Sequence, residues 1–193
     1  LFEVHHRIKN NMSMIVNLLT LQIDSLKNGE AIGALRNAIG RLKAMGVLYD
    51  KLYRSDDVNA ISLADYLPSL IEEIISVFPD RYKVEIDTDI ENIKLDVQRI
   101  SCVGMIVNEL ISNTMKHAFT ERGNGAISIG ASHSGDTVTI LYEDDGSGIP
   151  PGISVTNPQT FGLKLIAGLA AQIDGALEID RERGTRVTLT FPI

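Results

Sequence analysis

Residues 108–119 read Asn-Glu-Leu-Ile-Ser-Asn-Thr-Met-Lys-His-Ala-Phe, and this stretch decides the fold. Leu110, Ile111, Thr114, Met115 and Ala118 recur at three- and four-residue intervals and can face a core, while Glu109, Asn113, Lys116 and His117 recur on the other side. The apolar stripe predicts a long helix over about 97–118. The polar stripe has a definite chemistry: a carboxylate and an amide oxygen are hard ligands suited to Mg²⁺, and a lysine ammonium meets phosphate oxygens as a point charge. A solvated helix face also carries such residues, so the stretches downstream have to arbitrate.

From Asp136 to Tyr142 the chain alternates like a half-buried strand, then continues Glu143-Asp144-Asp145-Gly146-Ser147-Gly148-Ile149-Pro150. Asp144 at a strand end, followed by Gly146 and Gly148, sets a carboxylate beside backbone that a ligand can approach closely. Such a carboxylate accepts from an exocyclic amine such as adenine N6, although a plain hairpin turn favours the same residues. Thr160-Phe161-Gly162-Leu163-Lys164-Leu165-Ile166 then opens an apolar-periodic segment that reaches about Ile173. A glycine at a helix entry lets phosphate oxygens reach the unpaired N–H groups there. The alternation of 176–180 and 186–191 around a turn at 181–185 predicts a closing hairpin.

The amino-terminal third is different in kind. Position 5, Ile8, Met12, Ile15, Leu19, Gln22 and Leu26 step by three and four, a seven-residue repeat. After Lys27-Asn28-Gly29-Glu30 the same kind of seam resumes with Ile32, Leu35, Ile39, Leu42, Gly46, Tyr49 and Leu52. Two such helices, over about 1–27 and 31–53, make an antiparallel hairpin that cannot cover its own seam; two hairpins packed as a four-helix bundle can. A homodimer through residues 1–54 is therefore expected.

In order, NEL..N..KHAF, DDGSGIP, FGLKLI and RGTRVTLTFP resemble the nucleotide-binding boxes of the GHKL ATP-binding fold shared by sensor histidine kinases, gyrase-type topoisomerases, mismatch-repair ATPases and heat-shock chaperones. EVHHRIKNN resembles the phosphoacceptor helix of sensor histidine kinases, in the class with an H-R-x-K-N signature; the absence of Trp places the chain outside the Trp-marked sister class. The resemblance implies a protein-histidine kinase of two-component signalling, using ATP and Mg²⁺. It implies that Asn113 ligates the metal with help from Glu109, and that Lys116 and His117 neutralise phosphate. Asp144 would read adenine with Gly146 and Gly148 lining its pocket, Gly162 and Leu163 would meet the phosphate tail, and Thr185 would close the adenine side. Thr160 stands where the family has the first glycine of its third box.

His5 falls on the predicted seam and His6 about 100° further round, so His6 is the expected phosphoacceptor, with Asn10 four residues on. Arg7 occupies the place of the usual acidic neighbour, which leaves two candidates for the base: Glu3, on the same helix face, and Glu109, arriving with the nucleotide. The phosphoryl group is then expected to pass to an aspartate on a response-regulator receiver domain in trans. A degenerate scaffold that no longer binds ATP, and a serine kinase or ATPase of the same superfamily, stay as alternatives.

The expected fold is α+β. A helical hairpin (1–54) and a linker (55–61) precede an ATP-binding α/β sandwich (62–193), whose mixed sheet is covered on one face by helices. Ser62 is the expected cap of a helix reaching about Phe78, which Pro68 should delay to about Tyr66 or kink. Strands are expected at 83–87, 92–95, 126–133 and 137–144, and a short lid between Pro150 and Thr160. A net charge of −7 and a pI near 5.1 speak against nucleic acid and anionic membranes as partners. The single Cys102 excludes an internal disulfide and points to core packing, and His133 reads as a surface residue at a strand end. No stretch is long enough to span a bilayer. The chain opens inside a helix without Met, so a cytoplasmic catalytic fragment is expected, from a longer protein that could be membrane-attached through a preceding sensor segment.

Overall fold

A computed structural model describes residues 2–54, 60–76, 78, 83–119, 123–149, 160–180 and 184–193, without the side chains of 2–6, 30 and 52–54. Helices α1 (Phe2–Ser25) and α2 (Gly29–Arg54) form the hairpin. Lys9 Nζ lies 2.6 Å from Asp50 Oδ2 and ties the first turns of α1 to the last turns of α2. The face of α1 turned to α2 is Ile8, Met12, Val16, Leu19, Ile23 and Leu26, all partly buried. The predicted seam drifts from this face at its middle: Ile15 is 40% exposed and Gln22 is also exposed. Met12, Leu19 and Leu26 keep the seven-residue spacing, while Val16 and Ile23, each one position on, take the places expected for Ile15 and Gln22. α2 is more buried than α1: Ala44 and Leu48 pack into the core shared with the second domain, and Ile39 is also buried.

That domain opens with a strand absent from the sequence expectation, β1 (Ala60–Ser62), paired antiparallel with β3 (Lys94–Asp96). The predicted linker therefore ends inside a strand, and the expected strand at 92–95 belongs to this small sheet instead of the main one. α3 spans Leu63–Ile75, and its cap is Ser62, whose hydroxyl accepts from the Asp65 amide. The helix neither starts late nor waits for Tyr66: Pro68 lies inside it. A mid-helix proline costs roughly 3 kcal/mol, but Leu63, Tyr66, Leu67, Leu70, Ile71 and Ile74 are all buried, and burying even two such side chains offsets that, at about 1.5–3 kcal/mol each.

The main sheet runs β2 (Lys83–Ile90), β4 (Asn124–Ser134), β5 (Thr137–Asp144), β7 (Thr185–Pro192), β6 (Ala176–Asp180). β2 and β4 are parallel and every other pair is antiparallel. α4 (Val97–Asn113), capped by Asp96, passes into one π-helical turn, Thr114–Ala118. α5 spans Phe161–Gln172. α3, α4 and α5 share a core with the inward residues of the sheet, Cys102 included. His133 is exposed, as expected, and its Nδ1 lies 2.7 Å from Glu91. The connector 55–59, the lid at 150–159 and the turn at 181–183 fall outside the described residues.

Candidate functional site: a nucleotide pocket beside the hairpin

Two clusters form along α4 and its π-turn. The first surrounds Asp144, the last residue of β5, which is 5% exposed. Its Oδ1 accepts from the Gly146 amide at 3.0 Å and the Thr185 amide at 3.3 Å. Its Oδ2 accepts from the Thr114 hydroxyl at 2.7 Å, and the Tyr142 hydroxyl in turn donates to Thr114 Oγ1 at 2.7 Å. Burial holds the Tyr142 phenol protonated by pushing its pKa up. Thr114 gives its proton to the carboxylate, so its oxygen can only accept from Tyr142. A carboxylate has about four acceptor positions; three are occupied here, and the one left on Oδ2 suits a ligand that donates. Gly184 permits the closure, because its φ is +80° and an added Cβ would lie 1.8 Å from the Asp144 carbonyl oxygen. Gly148, also at positive φ, continues the turn.

The second cluster surrounds Glu109, which is 1% exposed. Sequence patterning puts it on a polar face, yet α2 covers that face. Arg41 Nε lies 2.7 Å from Glu109 Oε1 and Arg41 Nη2 3.1 Å from Oε2, a two-pronged ion pair between domains. The guanidinium stacks on the Phe161 ring, 4.9 Å from its centroid. A Cβ on Gly162 would lie 3.2 Å from Glu109 Oε2, 3.7 Å from Asn113 Nδ2 and 3.9 Å from Asn113 Oδ1. The carboxylate, the amide and the entry of α5 thus converge on one small space. Leu163, next along, is buried and serves the core. Lys116 stands near this cluster; burial is the main cause that lowers its pKa, with Glu109 opposing and Arg41 and Arg36 adding. Burial and the adjacent Lys116 also lower the pKa of His117.

Of the residues expected at the site, Asp144, Gly146 and Thr185 lie together in the first cluster, and Glu109, Asn113 and Gly162 in the second. The side chains of His6 and Glu3 lie outside the described residues, and Asn10 is exposed on α1. Arg41 stands nine residues before Asp50 on α2, and His6 three residues beyond Lys9 on α1. At 1.5 Å per residue their levels differ by roughly 18 Å along the hairpin. Four contributors went unnamed as site residues: Arg41, Thr114, Tyr142 and Phe161. Tyr142 was findable, since the period of two puts it on the face of β5 that carries Asp144. Arg41 had no such signal, being a single cation between seam positions.

Comparison with known proteins agrees with this architecture. Residues 3–78 match the family described as histidine kinase, and residues 100–193 match that described as histidine kinase-, DNA gyrase B- and HSP90-like ATPase. Sensor histidine kinase PdtaS of Mycobacterium tuberculosis is 32% identical over 99% of this chain and 39% of its own length. Blue-light-activated histidine kinase 2 of Erythrobacter litoralis is 27% identical over 100% of this chain and 57% of its own. The solved structure of the Erythrobacter litoralis EL346 blue-light activated histidine kinase superposes with a TM-score of 0.74 at 25% identity, over 98% of this chain and 57% of that one. The chain spans less than two thirds of the length of these relatives. Among the described residues, no helix is long and apolar enough to cross a membrane. The two family matches, in that order along the chain, together with the sensor histidine kinase relatives, place the chain in the histidine kinase family.

Proposed function

We propose that this chain is the catalytic core of a sensor histidine kinase: it phosphorylates His6 from ATP and passes the phosphoryl group to an aspartate of a response-regulator receiver domain. The single observation that carries the reading is the pocket at Asp144. One unfilled acceptor position, framed by Gly146, Thr114 and Thr185, fits the exocyclic amine of adenine and disfavours a carbonyl at the same place.

The residues in the last turns of α4, just before Thr114, fit a metal-bound triphosphate. Glu109 and Asn113 offer two hard oxygens around the Gly162 backbone. Among the described residues no cluster of three or more His, Cys, Asp or Glu stands ready for a metal, which suits Mg²⁺, an ion that binds through one or two protein groups plus substrate phosphates. When bound, Mg²⁺ neutralises phosphate charge as the transferring group moves. Lys116 and His117, on the π-turn that follows, would neutralise phosphate charge. Catalysis of this kind is mainly positioning and charge neutralisation. A ring nitrogen of His6 bonds to the terminal phosphorus, the bond to the bridging oxygen breaks, and ADP departs. A carboxylate holding the other ring nitrogen sets the tautomer; Glu109 takes this role, with Glu3 as its rival. Asn10, exposed one turn beyond His6, is positioned to orient a water or the receiver.

The hairpin supports a homodimer through residues 1–54. Met14, Leu18 and Leu21 lie one helical stripe away from the α2 contact and are 57%, 57% and 67% exposed, with Ile15 beside them. A second copy of α1 and α2 would cover this stripe in a four-helix bundle. The helical hairpin over 1–54 and the ATP-binding domain from about residue 60 are the two functional units.

The test is incubation with ATP labelled at the terminal phosphate and Mg²⁺. Acid-labile label should appear on the protein, persist in His5→Ala and vanish in His6→Ala. Acid-stable label on serine, or label kept by His6→Ala, would overturn the assignment.

A further inference from the structure

The carboxylate assigned to catalysis is inaccessible. Glu109 is 1% exposed, and both of its oxygens are held by one guanidinium from the other domain. Arg41 is itself boxed in, its side chain 20% exposed and stacked on Phe161. The hairpin level at which this happens lies roughly 18 Å from that of His6, far beyond the approach of about 3 Å that phosphoryl transfer needs. We infer that Arg41 is an autoinhibitory latch: its ion pair with Glu109 parks the ATP-binding domain against α2 away from His6, and the pair must open before the phosphoryl group can move. This rests on the reading of Glu109 and His6 given above.

Three further observations favour a latch over a permanent joint. The contact has an unpaired polar atom at its centre: Asn108 Oδ1, 0% exposed, finds no hydrogen-bond partner among the described residues. It faces Gly40, one residue before Arg41, where an added Cβ would lie 3.2 Å away. Asn37 Oδ1, one turn earlier on α2, is likewise buried and unpaired. Docking therefore strands the Asn108 amide oxygen, which would regain water on opening, so the closed state is held against a cost. The guanidinium is the only cation hydrogen-bonded to Glu109 among the described residues; Ala44 and Leu48 supply apolar packing beside it, so Arg41 is the part of the contact that a competing anion can exchange. Finally, Phe161 begins α5 directly before Gly162, so a phosphate tail seated at the α5 entry lies beside the ring that caps Arg41. Arrival of an anion there offers the guanidinium a competing partner, which couples nucleotide binding to release.

The experiment compares the wild-type chain with Arg41→Gln, Arg41→Lys and, as a control of equal charge change at the exposed helix turn, Lys27→Gln. Two readings are taken: the initial rate of phosphate incorporation at saturating ATP and Mg²⁺, and the distance distribution between spin labels at Asp24→Cys and Ser132→Cys in a Cys102→Ala background. The latch predicts a three- to tenfold faster rate and a broadened, longer distance in Arg41→Gln. Arg41→Lys, which keeps charge but loses the two-pronged geometry, should fall between, and Lys27→Gln should match wild type. A rate that is unchanged or falls in Arg41→Gln, or a distance distribution identical to wild type, overturns the latch. A broadened distance with no phosphate incorporation in any variant supports the restraint on the domain and overturns the kinase assignment instead. If Arg41→Gln does not fold, the wild-type-to-Arg41→Lys difference decides alone, in the same directions.

Discussion

Two neighbouring clusters at the C-terminal end of α4 treat a buried carboxylate in opposite ways. Asp144 is satisfied entirely from its own domain: two backbone amides and the Tyr142–Thr114 hydroxyl chain hold it, and one acceptor position is left for a ligand. Glu109 is satisfied from across a domain boundary, by a side chain that has to leave if the carboxylate is to work. The first arrangement is preorganised, so binding costs no rearrangement. The second is bistable, because a single ion pair can be exchanged for water and substrate contacts. On the function proposed above, recognition of the base and control of the chemistry sit on adjacent turns of one helix, and the π-turn at Thr114–Ala118 begins where the first takes over.

The contrast can be broken most severely at Asp144. Asp144→Asn puts an amide where only acceptors serve, and ADP affinity measured by calorimetry should fall on the order of 100-fold, the ~2.7 kcal/mol typical of a mismatched buried polar group. Unchanged affinity would mean that adenine is read elsewhere. Gly184→Ala attacks the same cluster through its backbone: a φ of +80° and the Asp144 carbonyl 1.8 Å from the new methyl should lower stability by about 3 kcal/mol. The urea midpoint of the ATP-binding domain reports this, and an unshifted midpoint would show that the turn relaxes freely.

Tyr142→Phe is gentler and more informative. It leaves the core volume nearly intact but frees the Thr114 proton to turn away from Asp144, so ADP binding should weaken about fivefold, in line with ~1 kcal/mol for one buried hydrogen bond. Inosine diphosphate, which carries a carbonyl in place of the amine, should lose less, narrowing the preference for adenine; equal losses for both nucleotides would assign Tyr142 to packing alone. The smallest effect is expected at the rim of the interdomain contact. Lys43 pairs with Glu73 at 2.7 Å, but the two side chains are 27% and 40% exposed. Surface pairs contribute about 0–1 kcal/mol, so Lys43→Gln should change the phosphorylation rate less than twofold. A change as large as that of Arg41→Gln would show that the hold is spread over the whole face.

Much of the molecule was legible from pattern. The helices, the strands of the main sheet and the alternation of β5 follow from periods of 3.6 and 2, which depend only on local geometry. The partners of Asp144 were partly legible for the same reason, since Gly146 is two residues away and Gly184–Thr185 announces a turn. The strand β1 was missed because three residues are too few to show a period, and its pairing with β3 is a long-range choice. Pro68 misled because helix propensity is a weak force against six buried side chains. Ile15 misled because its neighbour Val16 is equally apolar, and which of the two meets α2 depends on how the helices pack.

The sequence alone determined which residues are chemically able to act: the amide and carboxylate on α4, the aspartate before the glycines, the histidines on the first helix. Those follow from residue type and short spacing, which no packing can change. Only the tertiary structure decided that Glu109 is buried instead of solvated, and that its partner is Arg41, 68 positions away in the chain. Which charge meets which across a domain boundary depends on how two helices are laid together, and that is set by the sum of many apolar contacts, none of which bears a local mark.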